Sequence, residues 1–349
     1  MKRIIPLLCA ALLVFNACQT NVNIGKQAKD KSPNLRIGVS IYDEYDTFIS
    51  EIVTDIKKWA IEKETEYDIP ITLEVVSASK SQLTQNDQIE KFAEKGYDVV
   101  CVNLVDRTDA SVIIEKAKNY NMPIVFFNRE LVEEDLERWD KLYYVGAAAK
   151  QSGELQGDLI VNACKEKFDE IDLNGDRTLQ YVMLEGEPGH QDALVRTQSS
   201  ISKVLDAGYT VEKLGDEIAN WNREQASTKM NLLLDKYPSE IEVIFANNDN
   251  MALGAIDALN EHRIKKFPLI VGVDGDIEAL EMIKTKKMLG TIYNDADNQA
   301  RVIIELAYSL ALQQEIPKDL SLINDKYVYL PYQTINYNNV QQYIVNKNK

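Results

Sequence analysis

Asp172, Asn174 and Asp176 stand at alternating positions, and Thr178 and Gln180 continue the spacing. Alternation turns successive side-chain oxygens toward one point of a tight loop. A calcium ion takes roughly six to eight oxygens, main-chain carbonyls such as that of Thr178 among them. Residues 172–180 therefore read either as a calcium loop or as a solvated turn, because Asp and Asn side chains also bond back to their own backbone. Two features depart from an EF-hand loop. Met183 stands where a glutamate would close the loop, and Arg177 fills the slot of the sharp-turn glycine, with Gly175 two residues earlier.

A second set of polar residues follows short apolar runs. It comprises Tyr42 and Asp46, Asn103, His190 with Asp192 and Arg196, Asn247 with Asn248 and Asp249, Asp274, and Asn294 with Asp295. Phe48 and Trp221 add aromatic planes. Carboxylates, amides, a guanidinium and an imidazole exchange hydrogen bonds with hydroxyls, while aromatic faces pack against C–H groups. A sugar ring presents both. Single Asp and Asn residues here also suit helix capping, which accounts poorly for the whole set falling at the same kind of position. Catalytic arrangements are scarce: His190 and His262 are the two histidines, and no Ser or Cys nucleophile stands beside a base. The carboxylates include no marked proton donor of the kind a glycosidase pair needs.

The elements that position these residues alternate. Strand-like runs cover residues 35–42, 71–76, 99–105 and 123–127, separated by helical spacing over 48–59, 88–92 and 112–117. A second series has strands at 179–184, 210–214, 241–246, 268–273 and 290–293. Its helices are at 152–163, 193–205, 225–234, 251–260 and 278–283, and a last helix at 299–312 precedes a strand at 327–330. Near-continuous apolar strands between amphipathic helices mark parallel sheets covered on both faces. Two such series predict two doubly wound α/β units, whose ligands bind beyond the carboxyl ends of the strands. That is where the polar set lies.

With 349 residues and 45% hydrophobic content, the chain has room for about two ordinary globular domains. Its net charge of −16 repels a nucleic-acid backbone, and it carries no GxGxxG or Walker-type phosphate loop. Lys2 and Arg3 precede an apolar run over residues 4–15 that ends at Ala17 and Cys18. The run falls short of the roughly 20 apolar residues that span a bilayer and reads as a secretory signal. The small residue before cysteine resembles a bacterial lipoprotein box, although Phe15 and Asn16 stand where Leu and a small residue are usual. Residues 1–18 are thus expected to be a lipoprotein signal peptide ending at the lipidation site Cys18, the alternative being an ordinary signal cut nearby. Residues 19–33 are polar and read as a tether, so membrane contact is expected through the lipid alone. Cys101 and Cys164 fall in apolar runs and are expected to be buried thiols.

On these residues the sequence resembles the periplasmic galactose/glucose-binding proteins, the sugar receptors of bacterial ABC transporters. The resemblance runs over residues 35–343. It is carried by Arg36-Ile37-Gly38-Val39 with Asp46 and Phe48, by Gln85-Asn86-Asp87-Gln88-Ile89, by Asn103-Leu104-Val105-Asp106 and by residues 123–128. Tyr143-Tyr144-Val145-Gly146, residues 186–190 and 246–249, Gly272-Val273-Asp274 and Asn294-Asp295 extend it.

The resemblance implies sugar contacts by Asp46, Asn103, His190, Asp192, Arg196, Asn248, Asp274 and Asn294, with Phe48 and Trp221 sandwiching the ring. It implies structural calcium held by Asp172, Asn174, Asp176, Thr178 and Gln180, with Glu242 supplying the missing carboxylate. The implied fold is α/β of the type I periplasmic binding protein kind, two doubly wound parallel-sheet lobes joined by a three-crossing hinge. The expected lobes are residues 34–122 with 295–326, and residues 123–294 with 327–349. Thr47 and Gln191 depart from the family, which commonly has Asn and Pro there.

The expectation is a periplasmic or lipid-anchored receptor, not an enzyme, that hands D-galactose or D-glucose to an ABC sugar permease. A sensor serving a chemoreceptor or kinase shares the cleft and differs in partner, and a sugar-processing enzyme would form product. A two-lobed repressor is disfavoured, since a leader and tether without a helix-turn-helix precede residue 35.

Overall fold

The computed structural model describes residues 34–347. The expected signal peptide, Cys18 and the tether lie outside the described residues. In chain order the first elements are β1 (Leu35–Ile41), α1 (Thr47–Tyr67), β2 (Ile71–Ser77), α2 (Gln82–Glu94), β3 (Val99–Val102), α3 (Ser111–Asn119), β4 (Ile124–Phe127), α4 (Glu133–Leu136) and β5 (Leu142–Ala147). Next come α5 (Ala149–Ile171), β6 (Thr178–Glu185), α6 (Gln191–Asp206), β7 (Thr210–Ile218), α7 (Arg223–Lys236), β8 (Val243–Ala246), α8 (Asp249–Glu261), β9 (Leu269–Asp274), α9 (Ile277–Lys284) and β10 (Gly290–Tyr293). The chain closes with α10 (Ala296–Ala311), β11 (Tyr327–Leu330), β12 (Gln333–Asn336) and α11 (Val340–Lys347).

β3, β4 and β8 read Val-Val-Cys-Val, Ile-Val-Phe-Phe and Val-Ile-Phe-Ala and are buried along their whole length. Helices cover both faces, as a parallel sheet requires. One sheet has the order β2-β1-β3-β4-β5-β11, the other β7-β6-β8-β9-β10-β12. Every ladder is parallel except β10–β12. In both sheets strand order reverses beside the first strand, at β1/β3 and β6/β8, and such a switch point opens a crevice at the carboxyl ends. The two-lobed doubly wound reading therefore holds. Cys101 and Cys164 are buried free thiols. Among the described residues no helix is long and apolar enough to cross a membrane.

The expected lobe boundaries need correction. β4 pairs with β3 through Val100 opposite Ile124, β5 pairs with β4, and β11 pairs with β5 through Tyr327 opposite Tyr144. Backbone pairing places all three in the first lobe, whereas breaks at 122 and 326 would give them to the second. The first lobe runs to β5 and adds α10 and β11; the second takes α5 to β10, then β12 and α11. The chain passes between lobes three times: β5 to α5, β10 to α10, and β11 to β12. Four regular elements, α4, β5, β12 and α11, were not anticipated from periodicity.

Candidate functional site

The polar residues at the strand ends serve the helices that follow. Asp46 caps α1, its Oδ1 accepting the Ile49 amide at 2.9 Å. His190 caps α6, its Nδ1 accepting from the Asp192 amide at 3.1 Å. Asn248 caps α8 by accepting from the Met251 amide at 2.9 Å. The capping reading of these residues is thus correct, and it does not exclude a role in the cleft: capping fixes each side chain and leaves its remaining polar atoms to face the pocket.

Asp46, Phe48, Asn128, His190, Asp192, Arg196, Trp221, Asn248, Asp274 and Asn294 line one narrow pocket between the lobes. Nine of these ten were expected. The remaining expected contact, Asn103, is wholly buried beneath the pocket. It accepts the Tyr42 amide at 3.3 Å and donates to Asn128 Oδ1 at 3.1 Å. Asn128, at the end of β4, takes the lining position instead. Its φ of 61° turns the chain into the cleft, a left-handed conformation Asn tolerates better than most residues. Its place after an apolar strand was the available signal.

Arg196 is anchored on every side. Nε donates to Ser152 Oγ at 3.1 Å, Nη1 to the Asn247 carbonyl at 2.9 Å, and Nη2 to Asp192 at 3.1 Å and Tyr332 Oη at 2.9 Å. α5 approaches α6 closely enough for this because residue 153 is glycine: a Cβ there would lie 2.7 Å from the Arg196 carbonyl. Trp221 sits at φ 61°, with its ring edge-on to His190 at 5.0 Å. It also depends on a glycine, since a Cβ at Gly186 would fall 2.1 Å from its ring. Asp274 holds φ 117° at the end of β9, strain of the sort that clusters at functional sites.

Burial pushes the carboxyls of Asp46, Asp192 and Asp274 above the ordinary range. Arg196 opposes that at Asp192 and Asp274, and the Tyr42 hydroxyl opposes it at Asp46. Burial, then the charges of Arg129, Arg196 and Arg107, push His190 well below its usual value. The imidazole is therefore neutral, with Nδ1 occupied and Nε2–H free to donate. The arrangement offers acceptors, donors and two aromatic faces, suited to holding hydroxyls.

The 172–180 loop closes on itself. Asp172 accepts the Gly175 and Arg177 amides at 2.7 and 2.9 Å, Asn174 accepts that of Asp176 at 2.9 Å, and Asp176 accepts that of Thr178 at 2.8 Å. Gly175 and Arg177 both take positive φ, 74° and 63°, so arginine adopts the turn glycine would make. The Arg177 guanidinium points away, 3.8 Å from Asp169. Glu242 is 1% exposed and accepts the Leu173 and Gln180 amides. Its carboxyl is raised by burial, then by Asp172 and Asp176. Gln180 Oε1 is buried without a partner. Among the described residues no three carboxylate, imidazole or thiol groups alone converge on a metal. A cation would thus draw on amide and carbonyl oxygens too, and the orphaned Gln180 oxygen and buried Glu242 fit that demand.

A model of the periplasmic binding protein domain matches residues 37–315. The chain is 35% identical over 325 residues, 93% of its length and 96% of the relative's, to the D-galactose/methyl-galactoside binding periplasmic protein MglB of Haemophilus influenzae. A solute binding protein of an ABC transporter from Bacillus halodurans with bound myo-inositol superposes with a TM-score of 0.76 at 24% identity, covering 90% of this chain and 99% of that one. A periplasmic solute binding protein from Actinobacillus succinogenes with bound D-allose gives 0.73 at 24% identity, covering 89% and 100%. The two structures share the fold.

Proposed function

We propose a transport function for this chain, which belongs to the periplasmic binding protein family: it captures D-galactose or D-glucose between its lobes and delivers it to an ABC sugar permease. It is a binding protein and not an enzyme. The observation that carries the choice of ligand is the pocket itself, in which three carboxyls, three amides, a neutral imidazole and a guanidinium surround the space beside Phe48 and Trp221. A pyranose satisfies both kinds of surface, and the relative at 35% identity is described as binding galactose.

Asp46, Phe48 and Asn128 come to the pocket with β1, α1 and β4 of the first lobe, Asn294 stands at the end of β10 where the chain crosses to α10, and the others come with the second lobe, so tight binding requires closure about the three crossings. Asp172, Asn174, Asp176, the Thr178 carbonyl, Gln180 and Glu242 would hold a calcium ion, which would tie the loop before β6 to the start of β8 and do no chemistry. Lipidation at Cys18 would hold the protein at the membrane surface. The test is calorimetry against a monosaccharide panel. D-Galactose or D-glucose should bind, with a change in Trp221 fluorescence, and D-ribose should bind far more weakly. Asp46→Ala and Asp274→Ala should each weaken binding at least tenfold, about 1.4 kcal/mol. Ribose binding as tightly as the hexoses, or Asp46→Ala leaving affinity intact, refutes this assignment.

A further inference from the structure

Beside the narrow pocket lies a larger cavity of about 500 Å³. It shares His190 with the pocket and takes walls from both lobes, including Tyr42, Arg107, Arg129 and Glu130 from the first and Glu187 and Gln191 from the second. Its size is that of a small-molecule site. It remains although the lobes are already joined across the cleft, by Lys80 and Arg129 to Glu187, by Asn250 to Thr47 at 2.7 Å, and by Lys347 to Glu51 at 2.6 Å.

The lining chemistry narrows what the cavity takes. Its cations are Lys80, Arg107 and Arg129, and its carboxylates are Asp106, Glu130 and Glu187. Three of each sign balance, which favours a neutral polar group over an anion. Lys80 and Arg129 are committed to Glu187. Arg107 is not: its Nε donates to the Glu130 carbonyl at 2.7 Å, and its terminal nitrogens have no partner among the described residues. It lines the cavity and not the pocket.

Opposite it, Gln191 donates to Glu130 at a long 3.5 Å, and its Oε1 is buried without a partner. The Nε of Arg129, a residue 8% exposed, is likewise unpartnered. Two orphaned groups, one donor and one acceptor, on the wall of one cavity are costly in an empty site. A modest side-chain shift toward a bound group relieves both. Hydroxyls, which donate and accept at once, match the pair.

We propose that this cavity is a second saccharide subsite, so that the protein accepts a hexose carrying a further sugar ring, with Arg107 and Gln191 holding that ring's hydroxyls. The inference rests on the hexose reading of the adjoining pocket. The test is calorimetry with D-galactose, D-glucose and a set of their disaccharides linked through each ring hydroxyl, using the parent, Arg107→Ala and Gln191→Pro. Proline is compatible with the first position of α6, and an unchanged hexose affinity reports that each variant folds. At least one disaccharide should bind the parent within a hundredfold of its hexose, and both variants should weaken that disaccharide at least fivefold while changing hexose affinity less than twofold. The subsite is overturned if every disaccharide binds more than a hundredfold more weakly, or if either variant weakens hexose and disaccharide alike or neither. Absence of hexose binding by the parent overturns the function itself, a separate and recognisable result.

Discussion

Glu187→Ala should loosen the closed form and leave the open form nearly untouched. The carboxylate sits on the second lobe and receives Arg129, whose side chain is 9% exposed, and Lys80 at 2.8 Å, whose side chain is 52% exposed. A hydrogen bond to a charged group that is mostly shielded contributes about 1.5–3 kcal/mol. The half-exposed lysine pair adds at most about 1 kcal/mol and loses much of that to screening. Both cations belong to the first lobe, so when the lobes part, water replaces the carboxylate and the substitution costs little.

The loss in the closed state is therefore about 2 kcal/mol, equivalent to roughly a thirtyfold weaker apparent affinity. Contacts formed after encounter act mainly on dissociation. Stopped-flow tryptophan fluorescence should accordingly show the hexose leaving tens of times faster, with association changed by less than threefold. An unchanged dissociation rate would mean that these pairs do not hold the lobes around the ligand.

Chelation should lower the melting temperature if calcium occupies the 172–180 loop, since saturation a hundredfold above Kd adds about 2.7 kcal/mol; Glu242→Gln should shrink the difference, and identical curves with and without chelator would return the loop to a solvated turn. Asp249 is wholly buried, accepting from the Gly275 and Asp276 amides and the Thr291 hydroxyl, and burial followed by the Asp276 charge raises it from 3.8 to about 8. Because the folded value exceeds the unfolded one, the folded state holds a proton the unfolded chain has released, and stability from this group declines as pH rises from about 4 to about 8. Asp249→Asn should flatten that decline in melting temperature, and a parallel profile would discount the group. Cys18→Ser should move the protein from the membrane fraction to the soluble one; continued sedimentation with membranes would exclude a lipid at this cysteine.

The two sheets were legible because their strands are short apolar runs, and the cleft was legible because polar residues follow those runs so regularly. Which strands share a sheet was not. Nothing in the run of β4 says where the first lobe ends, and the ladder between Ile124 and Val100 assigns it to the first. Asn103 and Asn128 illustrate the same limit at the site. Both are asparagines one residue beyond neighbouring strands, and nothing local distinguishes them. Asn103 stays under the chain to bind the Tyr42 amide, whereas Asn128 adopts φ 61° and turns into the pocket. Backbone dihedrals and partners distant in sequence decided that. Arg177 shows the reverse, a residue that breaks the loop pattern on paper and still takes the required positive φ.

The last two strands bear on how the chain is made. β11 completes the first sheet and β12 the second, with only Pro331 and Tyr332 between them. A chain emerging amino end first from a secretion channel thus leaves both sheets with an unfilled border until nearly all of it has been delivered. Neither half can become a finished folding unit ahead of the other, although each has its own core. Exposed sheet borders invite pairing with other chains. Holding factors outside the membrane would therefore be needed longest for the whole molecule, and a truncation that removes residues after 326 should damage both halves at once.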